Sequence, residues 1–441
     1  MKKVIDPIAQ MKAIIHPSSI EGKVKAIASK SHAHRILICA AFSDRDTYIV
    51  CEEASADIMA TVSCLESIGV GIEKKDDGFL VHPIDINNTI SDVDGEISID
   101  CNESGSTLRF LLPIVCLFDN TIKIYSRGRL PKRPLSPLYE ELLEHGAIIS
   151  KQGEVPLIVR GKITSGKYTL PANISSQYIS GLLFALPILD GDSEIILTEK
   201  IESKSYIDMT VDVLKMFNID IIWNDNRIYI KGNQQYKSPG KIVVEGDWSN
   251  IAFWLCAGAI SDQYLECTNL NFQSLQGDKE IIDILRRFGA DIVINEIDGI
   301  KSSIRIRQSC RKGIDIDANN IPDLVPILAL VASVSEGTTK IYNASRVRLK
   351  ESDRIESVVS TLNKLGADIY ETEDGMIIEG RDRLHGGEVD SYNDHRIAMM
   401  AAIASLVSEK DVIITDACAV NKSYSSFYND YIELGGNIEL V

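Results

Sequence analysis

The chain has 441 residues, 45% hydrophobic and 25% charged, and its 63 Asp and Glu outnumber 46 Lys and Arg for a formal net charge of −17. This is ordinary globular composition with length for two or three domains; the acidic balance argues against a nucleic-acid-binding face, and no run approaches the roughly 18 apolar residues of a membrane span. Met1–Gln10 lacks the apolar core of a secretory leader, so a cytoplasmic protein is expected, and the nine cysteines form no C-x-x-C pair, which argues against a disulfide framework or a zinc site.

Along the chain one event recurs six times. Lys30-Ser31 opens an apolar helical stretch, and the copy ends at Gly69 before a strand pattern, Gly78–His82. Gly105-Ser106 opens the second, with a helix over Phe110–Leu117, a turn at Asp119-Asn120, a strand over Thr121–Tyr125 and a second helix over Pro134–His145 ending at Gly146. Ser176-Gln177 opens the third, with apolar Leu182–Leu189, closing at Asn218; Asp247-Trp248 opens the fourth, with Ile251–Ile260, closing at Gly289. Asp323-Leu324 opens the fifth: a helix over Leu324–Val334, a strand over Thr338–Tyr342, a helix over Asp353–Leu365, then Gly366 and a strand over Gly375–Glu379. Asp394-His395 opens the sixth, running into Ile397–Leu406 and closing at Gly435. Openings lie 71 to 76 residues apart and each closing residue follows 39 to 43 later. Gly or Asn at the close suits a left-handed helix C-cap.

The chain therefore reads as six α/β units of βαβαββ type, grouped as two lobes of three. The turn-like Lys237-Ser238-Pro239-Gly240 sets the break near Tyr236–Lys241, giving lobes of 29–242 and 1–28 plus 243–441. The first 28 residues precede the first opening and can supply a strand to either lobe.

Each opening directs a helix N-terminus, an anion site by its free N–H groups and dipole, toward something. Cations sit at or near these starts: Lys30 and Arg35, Arg109, Arg396, and, in the later helices, Arg133, Arg354 and Lys422. Each would cost roughly 0.3–1 kcal/mol at an exposed terminus, and a bound polyanion reverses that sign. Blander readings stand beside this one. Ser175 and Asp323 can be N-caps, Glu351 and Arg354 a solvated i,i+3 pair, and Cys39, Cys64, Cys116 and Cys256 small buried hydrophobes. His32-x-His34 has no further ligand nearby to make a metal site.

The motifs Lys30-Ser31-x-x-x-Arg35, Ser104-Gly105-Ser106-Thr107-Leu108-Arg109, Lys132-Arg133-Pro134, Ser175-Ser176-Gln177, Ser203-x-x-Tyr206, Ile321-Pro322-Asp323, Lys350-Glu351-Ser352-Asp353-Arg354, Asn393-Asp394-His395-Arg396 and Lys422 occur in the order of the 5-enolpyruvylshikimate-3-phosphate synthases, which the chain resembles over nearly its whole length. The resemblance implies an α/β (α+β) enolpyruvyl-transferase fold of two lobes, three βαβαββ repeats each, with the active site in the cleft between them and 29–242 as the shikimate-phosphate side. It implies transfer of the carboxyvinyl group of phosphoenolpyruvate to the 5-hydroxyl of shikimate 3-phosphate, without metal or other cofactor, by a monomer in aromatic amino acid biosynthesis.

By this similarity Arg133, Arg354, Arg396 and Lys422 hold phosphoenolpyruvate, Lys30 touches both ligands, and Gly105 packs against the enolpyruvate. Ser175, Ser176 and Ser203 hold the shikimate phosphate and Ser31 and Arg35 its carboxylate, while Gln177, Tyr206, Asp323 and Lys350 surround the ring; Gln177 also reaches phosphoenolpyruvate. Two substrates with about five or six negative charges need such cations. Addition and elimination require acid–base groups: Asp323 is the candidate base for the hydroxyl, and Glu351 and Lys30 are candidates at the methylene and phosphate. Glu103, Ser205 and Arg346 depart from the commonest family residues and leave nearby contacts open, including the response to glyphosate near Gly105. Two alternatives are kept. A UDP-N-acetylglucosamine enolpyruvyl transferase would begin with a Lys-Asn pair and use a loop cysteine, and a catalytically silent anion-binding protein would lack Asp323, Glu351 or Lys30.

Overall fold

A computed structural model describes residues 11–84, 96–297 and 300–441. The absence of an apolar leader core, read at residues 1–10, lies outside the described residues. The chain forms two compact units, 28–244 and 1–27 with 245–441, each with its own apolar core.

In unit 28–244 the helices are α1 (Lys30–Ala41), α2 (Ala56–Ser67), α3 (Gly105–Val115), α4 (Leu138–Glu144), α5 (Ser176–Ala185) and α6 (Lys204–Met216). In the other unit they are α7 (Trp248–Ala259), α8 (Ile281–Phe288), α9 (Val325–Ser333), α10 (Arg354–Lys364), α11 (His395–Ala404) and α12 (Phe427–Glu433). The odd-numbered helices are buried on nearly every side, and every residue of α7, α9 and α11 is buried. That follows from sequences such as Val325-Pro326-Ile327-Leu328-Ala329-Leu330, apolar all round and therefore stable only inside a core. The even-numbered helices bury one face; α8 keeps Ile281, Ile282, Ile284, Leu285 and Phe288 inside and turns Arg286 and Arg287 out.

Each repeat adds one four-stranded sheet of constant pattern. Ile97–Asp100 runs parallel to Ile122–Tyr125, which is antiparallel to Leu157–Arg160, itself antiparallel to the short Ile148–Ile149. Alternate residues of the second strand, Ile122 and Ile124, point to the core. The N-terminal segment serves the unit of 245–441 twice. Gly22–Lys25 pairs in parallel with Leu265–Thr268, and Ala13–His16 lies between Val412–Thr415 and Asn437–Leu440, antiparallel to both. Lys241–Val243 completes the first repeat's sheet beside Thr47–Val50.

The six closing residues all have positive φ: Gly69 104°, Gly146 106°, Asn218 63°, Gly289 97°, Gly366 96° and Gly435 95°. The expected helix over Pro134–His145 is shorter. Pro134 and Pro137 lack N–H groups and disfavour helical geometry in the residues before them, so α4 begins at Leu138. Among the described residues no helix is long and apolar enough to cross a membrane. Cys39, Cys64, Cys116 and Cys256 are buried, as small hydrophobes are.

Candidate functional site

In unit 28–244 the expected residues gather at the N-termini of α1, α3, α5 and α6. Ser29 caps α1 by accepting the His32 N–H at 3.3 Å, which places Lys30 in the first turn. Lys30 Nζ lies 2.8 Å from Asp57 Oδ2, with both side chains mostly buried. Arg35 is 2% exposed. Its Nε donates to Thr210 Oγ1 at 2.8 Å, its Nη groups donate to the carbonyls of Ser31 and Tyr206 at 2.6 and 2.8 Å, and the guanidinium lies over the Phe110 ring. Burial lowers its pKa to about 10. A buried guanidinium held by neutral oxygens retains its charge for an incoming anion.

The close approach of α3 and α5 has a local cause. Pro113 cannot donate the helical bond to the Arg109 carbonyl, and Gly181 of α5 fits against that carbonyl, where a Cβ would stand 2.4 Å away. Arg109 Nη1 then donates to Gln177 Oε1 at 3.2 Å, and Gln177 Nε2 donates to Ser106 Oγ at 2.9 Å. Gly105 is the contact point: a Cβ there would lie 2.6 Å from Arg109 Nη1 and 2.8 Å from Arg133 Nη1. Ser175 is the N-cap of α5, accepting the Gln177 N–H at 3.3 Å, and Ser176 opens the first turn. Ser203 precedes α6 at φ 51°, an unusual conformation for a side-chain-bearing residue, and its hydroxyl makes no cap hydrogen bond.

In the other unit, Asp323, Lys350, Glu351, Arg354 and Arg396 form one charged cluster. Arg354 is 1% exposed and meets three carboxylates: Asp323 Oδ1 at 2.7 Å, Glu351 Oε2 at 2.8 Å and Asp394 Oδ2 at 2.8 Å. Arg396 Nη1 donates to the carbonyls of Asp323 at 3.1 Å and Ser249 at 3.4 Å, while Nη2 lies 3.4 Å from Asp323 Oδ2. Lys350 Nζ stands 3.5 Å from Asp323 Oδ1. Lys422 Nζ donates to the Asn393 carbonyl at 2.7 Å, beside the Asp394 cap of α11.

Two blander readings fail here. Asp323 is in the turn Pro322–Leu324 and makes no side-chain cap; its carboxylate is spent on cations. The Glu351–Arg354 pair exists, but Arg354 is buried, so it is not a solvated surface pair. Burial alone would raise the Asp323 carboxyl, yet Arg396, Lys350 and Arg354 override it and hold it well below the usual range. For Asp394, burial likewise opposes ionisation and Arg354 prevails, so its pKa is lowered.

Sequence reasoning missed two carboxylates, Asp57 and Asp278, and named Asp394 only as a unit opening and motif residue without its part in holding Arg354. Asp57 holds Lys30, and as an acid in a first helical turn it looks like a dipole partner only. Asp394 both caps α11 and anchors Arg354, and only the second role required the fold. Asp278, in the turn Gly277–Glu280, is fully buried and accepts the Ser249 hydroxyl. Burial first, and then the charge of Asp323, push its carboxyl up to about 7 against the opposing pull of Arg396. No signal in the sequence singles it out. Of the family departures, Ser205 occupies the first turn of α6, where proline would also fit, and Arg346 Nη2 donates to the Asn319 carbonyl at 2.6 Å. The Glu103 carboxylate packs on Gly128. Among the described residues no group of three or more His, Cys, Asp or Glu is placed to hold a metal ion.

The fold is that of the enolpyruvyl transferases: NikO of Streptomyces tendae matches with a TM-score of 0.77 at 15% identity over 98% of this chain and 99% of that one. The EPSP synthase of Acinetobacter baumannii matches at 0.82 and 26% identity over 98% of this chain and 100% of that one. The family model for EPSP synthase (3-phosphoshikimate 1-carboxyvinyltransferase) matches residues 14–431. Proteins named 3-phosphoshikimate 1-carboxyvinyltransferase are 46% identical over 427 residues in Clostridium beijerinckii, covering 96% of this chain and 97% of the relative, and 44% identical over 427 residues in Clostridium perfringens, covering 96% and 98%. The chain belongs to the EPSP synthase family.

Proposed function

We propose that this protein transfers the carboxyvinyl group of phosphoenolpyruvate to the 5-hydroxyl of shikimate 3-phosphate, releasing phosphate, as a monomer in chorismate biosynthesis. The observation that carries the reading is a set of buried or half-buried cations, Lys30, Arg354 and Arg396 in the first turns of their helices, Arg35 one turn into α1 and Arg133 ahead of α4, in a chain that matches one family almost end to end. Such cations are tolerable beside helix N-termini when multiply charged anions join them.

In this reading Ser175, Ser176 and Ser203 take the shikimate phosphate, Ser31 and Arg35 its carboxylate, and Gln177, Tyr206 and Lys350 the ring. Arg133, Arg354, Arg396 and Lys422 take phosphoenolpyruvate, Gly105 and Gln177 bear on its enol, and Lys30 serves both substrates. The 5-oxygen bonds to C2 of the enol while C3 gains a proton, giving a non-covalent tetrahedral adduct. The C2–O bond to phosphate then breaks as the new methyl loses a proton. Asp323 accepts the hydroxyl proton, and Glu351 and Lys30 exchange the others.

Asp323 suits a base because Arg396, Lys350 and Arg354 keep it ionised before substrate arrives. Substrate anions that engage those same cations relieve their hold and raise its affinity for a proton as chemistry begins. Phosphate release from phosphoenolpyruvate, assayed separately with shikimate 3-phosphate and with UDP-N-acetylglucosamine, tests the proposal. Release with the former alone is expected. Release with only the latter would assign the protein to the other transferase reaction, and release with neither would favour a non-catalytic anion binder.

A further inference from the structure

Helices α1, α2 and α3 share a line of buried polar atoms that the proposed substrate contacts leave unused. His34 Nδ1 lies 2.7 Å from Thr61 Oγ1, Thr61 Oγ1 lies 2.7 Å from Thr107 Oγ1, and Thr107 Oγ1 donates to Ser104 Oγ at 2.7 Å. All four residues are 0% exposed. The line starts on the helix of Lys30, Ser31 and Arg35, crosses the helix whose Asp57 pairs with Lys30, and ends on the cap of the helix that Gly105 opens.

Its direction follows from the imidazole. Burial, then repulsion from Lys30 and Arg35, hold His34 well below its ordinary pKa, so the ring is neutral, with one donor and one acceptor. Nε2 is buried and, among the described residues, has no hydrogen-bond partner. A buried N–H without an acceptor is rarer than a lone pair without a donor, so the proton sits on Nδ1. His34 then donates to Thr61, Thr61 to Thr107 and Thr107 to Ser104, whose oxygen also accepts the Thr107 N–H at 3.3 Å. A buried chain of this kind is stable only while every member is present, because each loss strands a desolvated polar atom.

We propose that His34, Thr61 and Thr107 are positioning residues for the phosphoenolpyruvate side of the reaction, tying the α3 cap, and with it Gly105 and the guanidiniums of Arg109 and Arg133 packed on it, to the helix of Lys30. This rests on the proposed assignment of Gly105 and Arg133 to phosphoenolpyruvate. None of the three residues need touch a substrate. Breaking the middle link slackens the first turn of α3 and leaves the serines assigned to the shikimate phosphate, Ser175 and Ser176 at the start of α5 and Ser203 before α6, in place, while Gln177, held by Ser106 and Arg109 of α3, shifts with the loosened turn.

Thr61→Val keeps the volume and removes the hydroxyl; Thr61→Ser restores it. The KM for phosphoenolpyruvate should rise about tenfold in the valine variant, the scale of one buried hydrogen bond, while the KM for shikimate 3-phosphate stays within about twofold and serine restores both. A folded valine variant with both KM values unchanged or equally raised, or a loss that serine does not repair, would overturn the proposal. Should valine prevent folding, nitrogen-15 NMR of the wild-type histidines decides: a neutral Nδ1–H His34 from pH 5.5 to 8 supports the relay, and an Nε2–H or titrating ring overturns it. A wild-type protein that releases no phosphate would defeat the proposed function, while an Nδ1–H signal would still support the relay itself.

Discussion

Asp278→Asn isolates a single buried ionisation. The folded protein keeps the Asp278 proton until about pH 7, because burial and the neighbouring charge of Asp323 oppose its loss. The unfolded chain gives it up near pH 4. Between these values the folded state binds one proton more, so stability falls as pH rises from about 4 to about 7 and is level on either side; at about 1.4 kcal/mol per pH unit the loss is about 4 kcal/mol. Asparagine keeps the shape, can accept the Ser249 hydroxyl and has no proton to lose. For a folding unit of this size about 4 kcal/mol corresponds to a melting shift on the order of 10 °C. Scanning calorimetry should therefore find the variant within about 3 °C of wild type at pH 4.5 and higher-melting by on the order of 10 °C at pH 8. An advantage of equal size at both pH values, or a variant less stable at pH 8, would refute the reasoning and mean that Asp278 stays ionised against Arg396.

Gly105→Ala should displace the ends of Arg109 and Arg133, which a Cβ would meet at 2.6 and 2.8 Å. Because those ends are flexible, stability should change by less than about 1 kcal/mol, while the KM for phosphoenolpyruvate rises several-fold more than that for shikimate 3-phosphate; an unchanged ratio of the two would contradict this. Arg354→Met leaves Asp323, Glu351 and Asp394 without their shared cation. About 3–5 kcal/mol of stability should be lost at pH 7.5 and less at pH 5, where the carboxylates regain protons, as urea unfolding can measure. Lys30→Ala and Asp323→Ala should each lower kcat by at least about 10²-fold with circular dichroism unchanged, and near-normal turnover would remove that residue from the proton transfers.

Much of the fold was legible because its signals are local. A left-handed closing residue needs Gly or Asn, and Gly69, Gly146, Asn218, Gly289, Gly366 and Gly435 each take that conformation. Helices apolar on every side, such as α9, can only be core. The stretch Pro134–His145 reads as one helix, yet α4 begins only at Leu138, because Pro134 and Pro137 donate no helical bond and push the residues before them out of helical geometry. Asp323 illustrates the opposite limit: its place before a helix suggests a cap, and only the fold brings Arg354 and Arg396 to it. Asp57 and Asp278 were invisible for the same reason. Each acts on groups distant in sequence, Lys30 for one and Ser249 for the other, and a lone carboxylate in a turn or first helical turn announces no such partner.

The addition and elimination step can be read directly from products. Phosphoenolpyruvate carrying oxygen-18 in its bridging C–O–P position, turned over with shikimate 3-phosphate in deuterium oxide, should yield phosphate holding the heavy oxygen and an enolpyruvyl product with deuterium in its vinyl methylene. Heavy oxygen left on the carbon fragment, with no deuterium in the methylene, would contradict cleavage of the C2–O bond through a methyl-bearing adduct.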